Sequence, residues 1–183
     1  MFISKVFSLF FVCILAVCGN SVSQTENIKP EPQTSNTELS LSMKRSHCYG
    51  TCPVYELNIQ SDGKVLFNGI DYTETKGEVT GSLSNEKMKQ LVSEIEKANF
   101  YSYEDSYTND LGSCSLIATD NPTVTLSVKL NGKEKNITHY LGCRSEINSS
   151  GGSADSIFPL QLYNLENKID EIVETKRWIG KGK

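Results

Sequence analysis

The residues whose types and spacing could do chemistry are few. Cys48-Tyr49-Gly50-Thr51-Cys52-Pro53 places two thiols in one tight loop with three residues between them. Gly50 can take backbone angles that a Cβ forbids, and Pro53 fixes its own φ and drives Cys52 toward extended geometry. Such a pair can close a small disulfide ring, bind a metal, or cycle between thiol and disulfide. The spacing has one residue more than the redox Cys-x-x-Cys, so the expectation is a staple. The alternative is a thiol–disulfide oxidoreductase using Cys48 and Cys52. Cys114 and Cys143 bring the cysteines beyond the N-terminal region to an even number, with three possible pairings. We expect Cys48–Cys52, which is local, and Cys114–Cys143, which would tie the loop before one hairpin strand to the end of its partner.

Both histidines lie beside cysteines. His47, Cys48 and Cys52, with His139 and Cys143, offer nitrogen and sulfur ligands suited to zinc, but the spacings match no zinc signature and oxidation competes for the sulfurs. We therefore expect no metal and no other cofactor, with that ligand set as the alternative. No Gly-x-Ser-x-Gly elbow is present, and Gly151-Gly152-Ser153 has no lysine placed to make a P-loop. Asp105, Asp110 and Asp120 read as solvated loop carboxylates. No residue is assigned a catalytic role. Tyr49, with Tyr101, Tyr103 and Tyr107 of the aromatic, acidic segment 100–107, is the candidate binding surface. That segment is expected to cover the edge of a sheet, with an aromatic ligand-binding wall as the alternative.

The elements that must position these residues begin after an export signal. Lys5 precedes an apolar run from Val6 to Val17, too short for a comfortable membrane span. Residues 1–17 therefore read as a signal peptide. Leu15-Ala16-Val17-Cys18 resembles a bacterial lipobox, which would make Cys18 the lipidated first residue; the competing site is cleavage after Ser23. Residues 18–37 read as a flexible polar tether, and 38–180 as one α+β domain. The chain has 183 residues and a formal net charge of -4, so no broad basic field invites nucleic acid. A membrane would be met only through the lipid anchor.

Within the domain, period-2 alternation predicts strands over 38–45, 55–59, 64–67, within 75–83, over 124–130 and over 133–141. Asp62-Gly63 and Asn131-Gly132 are hairpin signals, and Gly69-Ile70-Asp71-Tyr72 is read as a turn. Ser84 caps a helix that stops near Asn99, with Leu83 and Met88 as its hydrophobic staple. Residues 146–156 read as a mobile loop. A last helix starts between Ile157 and Leu160, with Pro159 in its first turn and Trp178 anchoring its end. The order gives an α+β fold: an antiparallel sheet of about five to six strands with two helices packed on one face.

Three blocks carry a family resemblance: Cys48-Tyr49-Gly50-Thr51-Cys52-Pro53-Val54-Tyr55 with the Asp62-Gly63 hairpin; Ala98-Asn99-Phe100-Tyr101 through Asp105-Ser106-Tyr107-Thr108; and Pro122-Thr123-Val124-Thr125 leading to Asn131-Gly132-Lys133, then Arg177-Trp178-Ile179. Over about 40–180 the chain resembles a bacterial exported domain-of-unknown-function family, number six-four-three-eight. Cys114 and Cys143 look like an addition to that pattern. The resemblance implies export and domain limits, and it supplies no activity to carry over. The expectation is a non-enzymatic binding or interaction domain of the bacterial cell envelope, lipid-anchored or periplasmic. Its partner would be an envelope protein or another envelope component.

Overall fold

The computed structural model describes residues 38–108, 113–144 and 157–180. The signal peptide, Cys18, the tether, Asp110 and the Ser/Gly-rich stretch 146–156 lie outside the described residues. The strands are β1 (Leu39–Arg45), β2 (Val54–Ile59), β3 (Lys64–Asp71), β4 (Gly77–Ser82), β5 (Ser106–Tyr107), β6 (Leu116–Ile117), β7 (Thr123–Leu130), β8 (Lys133–Tyr140) and β9 (Cys143–Arg144). The helices are α1 (Asn85–Lys97), α2 (Leu160–Val173) and the four-residue α3 (Lys176–Ile179), with a 3-10 turn at Phe100–Ser102.

Seven strands form one sheet in the order β4-β3-β2-β1-β7-β8-β5, and β6 and β9 pair separately. The expected five to six strands become seven because Ser106–Tyr107, inside the aromatic segment, adds a short parallel strand to Thr138–His139 of β8. All other pairings are antiparallel. β3 runs on through Gly69 and Ile70, which the sequence reading gave to a turn. Gly69 pairs with both Tyr55 and Gly77, and the chain leaves the sheet only at Tyr72, with φ 48°. Asn131 and Gly132 both take positive φ, the mirror-image turn that matches strand twist.

The alternation determines the faces. Leu39, Leu41 and Met43 of β1, Tyr55, Leu57 and Ile59 of β2, Val65 and Phe67 of β3, and Val124, Leu126 and Val128 of β7 are buried on one face. Leu91 and Ile95 of α1 and Leu162, Leu165, Ile169 and Ile172 of α2 complete the core against them. Burial of side chains this size stabilises the fold by about 1.5–3 kcal/mol each, set against ordering entropy. Ser84 caps α1 through its Oγ, which accepts from the Lys87 N–H at 3.3 Å. α2 begins at Leu160, with Pro159 just ahead of it and a cis Phe158–Pro159 bond. Trp178 belongs to α3 rather than to the end of α2, and its ring stacks on Phe67 at 4.9 Å.

Candidate functional site

One end of the large sheet gathers the residues that the sequence marks for chemistry. There β1 and β3 finish, β2 and β7 begin, and β8 finishes, as the pairs Arg45↔Tyr55, Val54↔Asp71, Arg45↔Val124 and Thr123↔Tyr140 require. Both disulfides sit at this end. Cys48 is bonded to Cys52 in the connection from β1 to β2, and Cys114 to Cys143 just beyond β8. In the chain-entropy model closure of the short ring stabilises by about 2 kcal/mol, and closure of the longer loop by about 3–4 kcal/mol. The second closure is reinforced by close backbone approach: the Ala118 N–H donates to the Gly142 carbonyl at 2.8 Å, and a Cβ on Gly142 would stand 2.0 Å from the Ala118 oxygen.

The Cys48–Cys52 ring carries Tyr49 outward. Tyr49 is 88% exposed, while its N–H donates to the Asp120 carbonyl at 3.2 Å. Disulfide and hydrogen bond together fix the backbone beneath an exposed aromatic ring. Next to it, His47 Nε2 lies 3.3 Å from Asp71 Oδ2. The Asp71 carboxyl is held below the usual carboxylate range, chiefly by the Tyr72 N–H and then by His47 and Lys76. Ile70 and Tyr72 flank Asp71 and are themselves 43% and 47% exposed. The contact between His47 and Asp71 ties the end of β3 to the residue next to the Cys48–Cys52 ring.

The other three tyrosines lie elsewhere. Tyr101 sits toward the opposite end of β8, where its hydroxyl donates to the Lys133 carbonyl at 3.1 Å. It lines an open groove of about 480 Å³ with Asp105, Glu134, Lys135 and Asn136, so this groove has one aromatic and four polar residues. Tyr103 is half-buried, and its hydroxyl pKa is pushed up by burial and then by Tyr107 and Glu166. Tyr107 is buried, packed edge-on against Tyr103, His139 and Phe158. These rings fill the space over β8 and do not continue the surface around Tyr49.

Two polar groupings lie between the sheet and α2, the first buried and the second half-buried. His139 and Glu166 are both fully buried, with Nδ1 and Oε1 2.9 Å apart. His139 Nε2 stands 3.1 Å from the Phe158 carbonyl, which can only accept, so Nε2 carries a proton. Nδ1 and Glu166 therefore share one further proton between them. Burial raises the Glu166 carboxyl, against the opposing pull of His139 and Arg45. Glu166 Oε2 has no hydrogen-bond partner among the described residues. Beside this pair, Tyr55 donates its hydroxyl to Asp170 Oδ1 at 2.6 Å, and Arg45 Nε donates to Asp170 Oδ2 at 3.0 Å. Thr175 Oγ1 donates to the same carboxylate at 2.9 Å. Burial opposes the Arg45 charge, but Asp170, Tyr55 and Glu166 together outweigh it and leave the guanidinium pKa above its ordinary value. Burial and Asp170 likewise raise the Tyr55 hydroxyl.

Sequence reasoning missed Arg45, Glu166 and Asp170. The available signal was an acid at position 166 on the apolar stripe of α2, four residues after Leu162 and three before Ile169, matched by a histidine on the apolar face of β8. Chemically, this interior is closed. Both ring nitrogens of His139 have protein partners, and Cys48, Cys52, Cys114 and Cys143 are all joined in pairs. Among the described residues no three His, Cys, Asp or Glu side chains converge as a metal site. What the arrangement offers outward is the rigid aromatic tip at Tyr49 with Ile70 and Tyr72.

A family model described as Domain of unknown function (DUF6438) matches residues 39–173, well over half of the chain. The chain belongs to this family. The DUF6438 span runs from β1 to the end of α2, so it takes in both disulfides, the His139–Glu166 pair and Arg45, Tyr55 and Asp170, and stops before Thr175 and Trp178. A search of curated proteins finds no match.

Proposed function

We propose that this DUF6438 domain is an exported bacterial envelope protein, lipid-anchored or periplasmic, that acts as a non-enzymatic docking module. Its docking surface is the disulfide-closed end of the sheet, and its partner is a protein of the envelope. The observation that carries this reading is Tyr49, almost wholly exposed at the apex of a ring closed by Cys48–Cys52. A preorganised aromatic loses little conformational freedom on binding, which is how rigid tyrosines serve as anchors in recognition surfaces. Ile70 and Tyr72, exposed at the same end of the sheet, supply further contact area. Two disulfides support export, because oxidising compartments form and keep them.

The test is photocrosslinking in intact cells with a benzophenone amino acid at position 49, and at the exposed Leu160 as control. A discrete adduct at 49 that is absent at 160 is the expected result. No adduct at 49, or the same adducts at both positions, refutes the docking surface. Intact mass spectrometry of the chain recovered from its own envelope checks the anchor: a lipid increment on a chain beginning at Cys18 supports it, and cleavage after Ser23 replaces it with a periplasmic form.

A further inference from the structure

The two edges of the large sheet are treated differently. At one edge β5 covers Thr138–His139 of β8, and the uncovered part of β8 bears Lys133, Glu134 and Lys135. Charges of this kind discourage further pairing. At the other edge stands β4, Gly77–Ser82, with no proline, no lysine and no register shift against β3. It is six residues long and carries one charged side chain, Glu78.

The hydrogen-bond phase of β4 follows from its neighbour. Lys64 is opposite Ser82, and the Leu83 N–H donates to the Gly63 carbonyl at 2.9 Å. That bond makes 77, 79 and 81 the residues whose backbone groups face β3, so Glu78, Thr80 and Ser82 direct theirs outward. No described residue pairs with them. The same three side chains lie on the face away from the helices, whereas Val79 packs against the core and Gly81 lies beside Trp178 and Arg177.

We infer that β4 is a self-association edge: two copies of this chain pair β4 antiparallel across a two-fold axis at Thr80, extending the sheet through both molecules. Pairing that keeps the helices of both copies on one side must match residues of the same parity. Centring on Glu78 would oppose two like charges, a destabilising arrangement. Centring on Thr80 sets Glu78 opposite Ser82, so no like charges meet, and Val79 opposite Gly81, the position flanked by Trp178 and Arg177. All three outward residues then form hydrogen-bonded pairs, about six backbone bonds in total. The interface is isologous and closes at two copies. Because the strands run antiparallel, the two Tyr49 tips point in opposite directions, so the pair would be bivalent.

The test is sedimentation of the full-length chain, as its own cell processes it, over a concentration series up to about 0.1 mM. It is run beside Thr80→Pro and Thr80→Lys. Proline at 80 removes an N–H that no ladder bond of the monomer uses, and lysine sets two cations together at the axis. The expected result is a dimer for the wild type, with dissociation constants raised at least tenfold in both variants and circular dichroism unchanged. Glu134→Lys, at the opposite edge, leaves association intact. Concentration-dependent protection of the Thr80 amide from hydrogen exchange locates the contact. A wild type that stays monomeric throughout overturns the inference, as does a dimer that survives both substitutions or leaves the Thr80 amide unprotected. If Thr80→Pro fails to fold, Thr80→Lys and the exchange measurement decide.

Discussion

Replacing His139 and Glu166, singly and together, separates what this buried pair does from what it costs. His139→Leu removes the partner of Glu166 Oε1 while Oε2 already lacks one, so a carboxyl is left in the core with neither oxygen bonded. Stranding one member of a buried ionisable pair costs about 3–5 kcal/mol. Glu166→Leu strands His139 Nδ1 but leaves Nε2 on the Phe158 carbonyl, and one unsatisfied neutral acceptor costs about 1–3 kcal/mol. The double substitution removes both polar groups and leaves only the Phe158 carbonyl short of a donor. It should lie within about 2 kcal/mol of the wild type. The two single losses therefore must not add.

Urea unfolding followed by circular dichroism, under oxidising conditions so that both disulfides persist, gives the four free energies of the cycle. At roughly 3–5 °C per kcal/mol for a domain of this size, His139→Leu should also lower Tm by about 10–20 °C. Glu166→Gln is the conservative member of the set: its amide can donate to Nδ1 while Nε2–H keeps the Phe158 carbonyl, so the loss should be about 1 kcal/mol or less. A double variant as unstable as the sum of its parents would refute the assignment of these atoms as a mutually dependent pair.

The pH dependence of the same pair has a definite sign. Burial raises the Glu166 carboxyl in the folded state, so its stabilising contribution is fully present below the ordinary carboxyl value and is lost as pH rises through the folded value. Relative to Glu166→Gln, the wild type should therefore lose stability as pH climbs from about 4.3, and paired urea titrations check this. Asp170→Ala leaves Arg45 and Tyr55 facing an empty site between β1, β2 and α2, and should cost about 3–5 kcal/mol in the same assay. Cys114→Ser with Cys143→Ser should cost about 3–4 kcal/mol by the loop-entropy argument, whereas opening the Cys48–Cys52 ring should cost about 2 kcal/mol. Under the proposed docking role, only the latter change should weaken a Tyr49-dependent crosslink.

The core strands and both long helices were legible because their side chains are sorted by periodicity alone: Leu39, Leu41 and Met43 for β1, or Leu91 and Ile95 for α1. The seventh strand was not legible, since two residues, Ser106 and Tyr107, show no period and owe their conformation to the β8 edge. The end of β3 was misread for a related reason. Gly69 looks like a turn residue, but the structure needs a glycine there because a Cβ would stand 1.9 Å from the Thr75 oxygen. Cysteine spacing brought the candidate tip into view, whereas Ile70 and Tyr72 join it only through the fold of β3. Arg45 and Asp170 are 125 positions apart, and no local pattern could have paired them.

The polar groups of this domain divide into two sets with opposite exposure, and that division bears on function. The residues with the richest chemistry, His139, Glu166, Arg45, Tyr55 and Asp170, bond chiefly one another and fasten α2 to the sheet. A catalytic role would ask for at least one of them to face a substrate with its reactive atom free, yet the histidine has no free nitrogen and the carboxyl beside it is sealed. The residues that do face outward at the sheet end, Tyr49, Ile70 and Tyr72, have contact area and little reactivity. The Cys48–Cys52 ring and the Tyr49 N–H bond to Asp120 fix the backbone beneath Tyr49, which would lower the entropy cost of binding and contributes nothing to bond making. This distribution is what the proposed docking role asks of the disulfide-closed end: contact area held on a rigid backbone.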